Sequence, residues 1–326
     1  QYAANNPWVW RAMYESGGFP PIRFLNEKMM SFQNFGRFRE AMQRYSPDIV
    51  VSVHPLCQDL PLKVLNSMGP DKTRDIPFVT VVTDLGGAHP TWFNNQADKV
   101  FVASDAVMRV AFREGLSTAQ APLHRYVLRF YDFPSFTATL QLAPPPEVFL
   151  CFFSSFSGRV GGGKRQGCFQ LAWHRSSSLE SVSITAVVVI CDKNQAAKHK
   201  LEETQWPQNS RVLIQGFVSN MDEWMGAVDA LVTKAEPGAI TEATVRGLPM
   251  MLSAYLPGQE KGNVPYVVVV NGGFGAYSKN PGEIGETIAG WLKNPDLLEK
   301  IKAAALKAAR PRASYDIARE IAIMIF

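Results

Sequence analysis

Residues 211–263 read RVLIQGFVSNMDEWMGAVDALVTKAEPGAITEATVRGLPMMLSAYLPGQEKGN. Two apolar runs, 211–217 and 230–235, are each followed by small residues and a segment of helical composition, the rhythm of consecutive parallel strand-to-helix units. Pro237, Gly238 and Ala239 open a helix expected over 239–247, and its first-turn N–H groups and positive dipole end suit a diphosphate. Gln259, Glu260 and Asn263 then gather polar groups on the next loop, as a site for sugar hydroxyls requires.

The same rhythm extends in both directions. Residues 184–191 (ITAVVVIC) predict a strand and 195–206 a helix; 249–255 (PMMLSAY) predict another strand, followed by helices over 281–293, 295–309 and 314–326, with Pro311 separating the last two. Nearer the start, 48–54 (DIVVSVH), 78–84 (FVTVVTD) and 99–104 (KVFVAS) read as buried strands, and 105–116 as a helix with Asp105 as its cap and Gly115 near its end. In open parallel sheets ligands bind at the carboxyl ends of the strands, which puts His54, Asp84, His89, Pro90 and Trp92 on the functional rim. Trp92 and Phe93 fit either the core or the entrance to an acceptor site.

Between 126 and 184 the pattern breaks. This stretch holds three consecutive prolines (144–146), the run SSFSGRVGGGKRQG and a serine cluster, with no sustained helical period, and reads as a linker or loop-rich insertion. Its Gly161-Gly162-Gly163-Lys164 lacks the spacing of a phosphate-binding GxxxxGK[ST] loop. Residues 35–45 have helical apolar spacing and suit packing on the following sheet. The aromatics before them, Trp8, Trp10, Phe19 and Phe24, with arginines nearby, suit lipid headgroups.

Composition narrows the classes. The 326 residues suffice for two domains, and 46% hydrophobic with 19% charged residues marks a globular chain. A net charge of +4 argues against a dedicated nucleic-acid binder and permits contact with an anionic membrane surface. The four cysteines, Cys57, Cys151, Cys168 and Cys191, are scattered, so neither a zinc site nor a disulfide framework is expected, nor is any other metal site, and the setting is a reducing one. No apolar run has the length of a spanning helix, so membrane association is expected to be peripheral. The sequence opens on Gln1; either no targeting segment exists or the natural amino terminus lies upstream.

At SVHPL (52–56), VVTDLGGAHPTWF (81–93), GFVSNMDEWMGAVDALVTKAEPGAITEA (216–243) and YLPGQEKGNVPYVV (255–268), the sequence resembles the monogalactosyldiacylglycerol synthases. The PGQEKGNVPYVV string is the family-specific part. KAxPG followed by glutamate is shared with peptidoglycan N-acetylglucosaminyltransferases and processive lipid glucosyltransferases. The resemblance implies an α/β GT-B glycosyltransferase, two Rossmann-like domains facing a cleft, that transfers galactose from UDP-galactose to diacylglycerol with inversion. It needs no cofactor beyond the donor substrate, and is held peripherally at the chloroplast envelope, in contact with anionic lipid. Gly216 and Phe217 would lie beside the uracil and Glu242 at the ribose; Pro237 through Ile240 would approach the diphosphate; Gln259 and Glu260 would address the galactose; Lys234 and Asn263 would complete the donor site. His54, Pro90, Trp92 and Phe93 would face the lipid acceptor.

The departures are specific. The family has glycine where this chain has Glu236, threonine where it has Ala239, and an acidic residue where the 267–270 run has valines. Thr241 is the nearest substitute for the missing hydroxyl. Residues 1–47 supply no strand leading to a glycine-rich loop ending in histidine, so the first domain is expected to be incomplete and His89 or Asp84 to stand in as the base. The expected organisation is an acceptor domain over 1–135, a divergent linker over 136–183, a nucleotide-sugar domain over 184–310, and a terminal helix over 311–326 suited to packing back on the first domain. The alternatives are a non-catalytic UDP-binding remnant and a related transferase with another donor or acceptor.

Overall fold

The computed structural model describes residues 12, 14–69, 75–121, 147–152, 184–206 and 211–326. The chain divides into two compact units. The amino-terminal unit comprises Trp8–Arg129, Pro257–Gly262 and Arg310–Phe326; the carboxyl-terminal unit comprises Gln1–Pro7, Phe130–Leu256 and Asn263–Ala309.

In the amino-terminal unit, helix α1 (Pro20–Tyr45) precedes strand β1 (Val50–Ser52), helix α2 (Asp59–Met68), strand β2 (Phe78–Val81), a 3₁₀ turn (Pro90–Trp92), strand β3 (Lys99–Phe101) and helix α3 (Asp105–Arg113). The strands form a parallel sheet in the order β1-β2-β3 with Val50 opposite Phe78 and Val79 opposite Lys99. β2 is buried on both faces, and its pleat sorts its side chains. Phe78 joins Leu62, Leu65, Trp92, Val100 and Val107 on one side. Val79 and Val81 join Phe101 and Ile317 on the other. Ile317 belongs to the terminal helix α10 (Ala313–Ile323), which also ion-pairs with the sheet through Glu320 and Lys99.

Two local readings change here. α1 begins at Pro20, far upstream of the expected helix, because Pro20 occupies its first turn, where the missing N–H costs nothing. None of its residues is fully buried. α3 is capped by Ser104, whose Oγ accepts from the N–H of Val107 at 3.2 Å, and not by Asp105, which sits inside the first turn.

The carboxyl-terminal unit carries β4 (Glu147–Phe152), β5 (Ile184–Ile190), α4 (Gln195–Glu202), β6 (Arg211–Gln215), α5 (Met221–Gly226), β7 (Ala230–Lys234), α6 (Pro237–Val245), β8 (Met250–Ala254), α7 (Asn263–Val269), β9 (Gly275–Tyr277), α8 (Pro281–Leu292) and α9 (Pro295–Ala308). Its six strands run parallel in the order β6-β5-β4-β7-β8-β9, the doubly wound order that reverses direction between β4 and β7. The sequence reading found no strand in 126–184 and assigned it to a linker; residues 147–152 are instead a central strand, paired with β5 on one side and β7 on the other. A central parallel strand is apolar without alternation, and the five apolar residues 148–152, which follow three prolines and Glu147, carry no period to recognise. The Gly161–Lys164 motif lies outside the described residues.

Candidate functional site

At the carboxyl end of β7 the chain turns through Glu236 into α6 with Pro237 at its first position. Ile240 is fully buried and its N–H makes the first intrahelical bond, to Glu236 O at 3.1 Å. Pro237 has no N–H and that of Ile240 is taken within the helix, so the outward donors of this turn are those of Gly238 and Ala239. Thr241 does not replace the missing hydroxyl: it is buried and donates to the carbonyl of Gly238 at 2.8 Å within the helix. The Glu236 carboxylate pairs with Lys234, Oε2 to Nζ at 3.0 Å. Fully buried Asn263 donates from Nδ2 to the carbonyl of Ala235 at 3.0 Å and ties the start of α7 to the β7–α6 crossing. Glu242 is half-buried one turn into α6. After β6, Gly216 is followed by Phe217, 65% exposed, with Lys193 Nζ 5.5 Å from its ring centroid. Gly216, Phe217, Lys234, Pro237 to Ile240, Glu242 and Asn263 thus all belong to the carboxyl-terminal unit, Lys234 as the last residue of β7 and the others on segments that follow β6, β7 and β8.

Gln259 and Glu260 do not. They lie on Pro257–Gly262, which belongs to the amino-terminal unit, where the loop meets the turn after β2. A Cβ built on Gly262 would stand 3.0 Å from the carbonyl carbon of Gly86 and 3.1 Å from the nitrogen of Gly87. Gly258, at φ +88°, lies against the Tyr14 ring. Glu260 is buried and its charge acts on Asp84.

Asp84 Oδ2 accepts from Trp92 Nε1 at 2.8 Å. Burial lifts its carboxyl from 3.8 to about 6; the indole bond pulls it down and Glu260 pushes it up. Burial and the Asp84 charge also raise the Tyr14 phenol, which stays neutral. His89 Nε2 lies 2.9 Å from the Tyr14 carbonyl, which can only accept, so Nε2 carries the proton. Nδ1 accepts from the N–H of Thr91 at 3.3 Å and lies 2.7 Å from its hydroxyl. Both nitrogens are committed to protein groups, and burial holds the imidazole below its ordinary range. His89 therefore caps the Pro90–Trp92 turn, and the base role expected of it is withdrawn because neither lone pair nor proton is available to an acceptor.

The acceptor-facing set divides. Trp92 and Phe93 are core residues, 1% and 7% exposed, because the indole has Asp84 as a buried partner for its N–H. Pro90 opens the 3₁₀ turn. His54 is exposed at the end of β1, its Nδ1 accepting from the N–H of Leu56 at 3.2 Å. It is held there by a buried polar chain: Thr80 Oγ1 donates to Gln58 Oε1, and Gln58 Nε2 donates to Ser52 Oγ and His54 O. Trp8 and Trp10 lie outside the described residues. Tyr14 was missed in the sequence, where neither periodicity nor motif marks it.

This fold is that of the GT-B glycosyltransferases. The chain superposes on MurG of Acinetobacter baumannii with a TM-score of 0.63 at 14% identity, covering 90% of this chain and 78% of that one. It superposes on S. aureus MnaA in a co-structure with UDP with a TM-score of 0.63 at 11% identity, over 90% of this chain and 80% of that one. Within that class the chain is a relative of the monogalactosyldiacylglycerol synthases, as its motifs suggested. Residues 8–123 match the family model described as Monogalactosyldiacylglycerol (MGDG) synthase. The chain is 38% identical over 295 residues to the probable monogalactosyldiacylglycerol synthase 2, chloroplastic, of Oryza sativa subsp. indica, covering 86% of this chain and 59% of the relative. It is 38% identical over 290 residues to monogalactosyldiacylglycerol synthase 3, chloroplastic, of Arabidopsis thaliana, covering 86% of this chain and 60% of the relative. The chain thus spans about three fifths of the length of the curated relatives it matches.

Proposed function

We propose that this chain transfers galactose from UDP-galactose to the primary hydroxyl of 1,2-diacylglycerol, with inversion, to form monogalactosyldiacylglycerol. The observation that carries the reading is the likeness to the named plant synthases over 86% of the chain. In the step, the acceptor oxygen attacks the anomeric carbon, the bond from that carbon to the diphosphate oxygen breaks, UDP leaves with the electron pair, and the acceptor proton passes to a base. Asp84 is the candidate base within this chain: its carboxyl, raised to about 6, is ionised at neutral pH and basic enough to take a proton. The N–H groups of Gly238 and Ala239, with Lys234, would stabilise the departing diphosphate; Phe217 would face the uracil, and Gln259 and Glu260 the sugar.

We also propose peripheral contact with an anionic membrane: the relatives' names read chloroplastic, and the family resemblance implies the envelope. No helix among the described residues is long and apolar enough to cross a membrane. α1 carries Ile22, Leu25, Met29 and Phe32 at helical spacing, all exposed, Phe32 at 92%. Arg37, Arg39 and Arg44 follow along the same helix.

The test is conversion of labelled UDP-galactose to galactolipid on vesicles containing diacylglycerol, with UDP-glucose and UDP-N-acetylglucosamine as competing donors. UDP binding without galactolipid would make the chain a non-catalytic remnant, and preference for another donor would make it a related transferase.

A further inference from the structure

Tyr14 joins three segments that are far apart in the chain. Its main-chain carbonyl receives the Nε2–H of His89 at 2.9 Å, and its ring meets that imidazole edge-on with centroids 4.5 Å apart. The ring also fills the space where Gly258 lacks a side chain: a Cβ there would stand 2.6 Å from Cδ1, 3.0 Å from Cγ and 3.2 Å from Cε1. At the other end of the same loop, Gly262 lies against the backbone of Gly86 and Gly87. The segment between is pinned at both ends, and Gln259 and Glu260 sit inside it. The three atoms of Tyr14 nearest that position are ring carbons.

We infer that Tyr14 is a positioning residue for the sugar half of the donor: its ring seats Gly258 and thereby fixes Gln259 and Glu260, without itself touching the ligand. This rests on the reading that those two residues address galactose. The glycine at 258 is then required twice, once by its positive φ and once by the ring against it. The hydrogen bond to His89 uses the main chain, so a side-chain substitution at Tyr14 removes the ring contact and leaves that bond's acceptor in place.

The experiment compares the wild-type chain with Tyr14→Ala and Tyr14→Phe. Hydrogen–deuterium exchange over residues 257–262, without ligand, reads the seating directly. Tyr14→Ala is expected to speed exchange there about tenfold and Tyr14→Phe to restore it, since the phenyl ring keeps the contacting carbons. Equal exchange in wild type and Tyr14→Ala overturns the assignment. Titration with UDP and with UDP-galactose then reads the ligand half. Tyr14→Ala should weaken UDP-galactose about tenfold while UDP changes by less than about twofold, because UDP carries no sugar for Gln259 and Glu260 to address. A variant that weakens both ligands equally overturns the sugar-specific role. A wild type that binds UDP-galactose no better than UDP overturns the galactose reading of Gln259 and Glu260, and the exchange result stands apart from it.

Discussion

Trp92 Nε1 donates to Asp84 Oδ2 at 2.8 Å inside a unit where the two residues are 1% and 2% exposed. The bond satisfies the indole and leaves a carboxylate that is costly to ionise. A carboxyl raised from 3.8 to about 6 contributes stability below pH 3.8 that is lost as pH rises through 6, a difference of about 3 kcal/mol. Asp84→Asn keeps an acceptor for the indole and removes the titration. Its melting temperature should exceed that of the wild type at pH 8, the gap should narrow as pH falls through 6, and it should vanish below pH 4. Transfer should drop about a hundredfold or more if Asp84 is the base. An unaltered rate would remove that role, and a gap independent of pH would remove the electrostatic cost.

Gly262 has no room to grow. The Cβ of Gly262→Ala would press on the Gly86–Gly87 peptide, which is backbone and cannot rotate aside. Overpacking of this kind costs about 1–3 kcal/mol, so a fall of several degrees in thermal unfolding is expected. A wild-type melting curve would mean that the loop does not seat there.

Glu236 stands at the entry to α6 beside the proposed diphosphate, held by Lys234 at 3.0 Å. Glu236→Gln removes a negative charge from a helix N-terminus that would receive an anion and withdraws one partner from Lys234. UDP should bind about two- to fivefold more tightly at low ionic strength, and less so as salt is added. Isothermal titration reads this; unchanged affinity at low salt would show that the carboxylate is not felt at the diphosphate.

Leu25, Met29 and Phe32 of α1 are exposed and one or two turns apart. Replacing the three by serine should weaken co-sedimentation with anionic vesicles at least about tenfold, and neutral vesicles should bind the wild type more weakly than anionic ones. Equal binding by the triple variant would assign the membrane contact elsewhere.

Most strands and helices of both units could be read from apolar runs and helix-start signals because buried parallel strands such as Phe78–Val81 and Ala230–Lys234 are uninterrupted and are followed by small or polar residues. β4 was hidden by its proline-rich approach and by the aperiodic sequence around it, and β9 by being three residues with a glycine at its head. At the candidate site, motif spacing located the α6 turn and the PGQEKG loop. It could not say that His89 spends both nitrogens on Tyr14 and Thr91, that Thr241 turns back on Gly238, or that Glu236 pairs with Lys234. Those are choices of rotamer and tautomer, made by neighbours distant in the chain or by geometry within a turn. Tyr14 belongs to the same class: its partners are about 75 and 245 residues away in sequence, and only folding brings them to it.

The amino-terminal unit is assembled from Trp8–Arg129, Pro257–Gly262 and Arg310–Phe326, so no single pair of cuts releases it whole. A fragment ending at residue 129 would bare Val79, Val81 and Phe101, which Ile317 covers, and would leave Lys99 without Glu320. Residues 310–326 are therefore synthesised after all the residues of the second unit, yet they seal the first. A stop codon near residue 310 would expose one face of the first sheet while sparing every strand of the second.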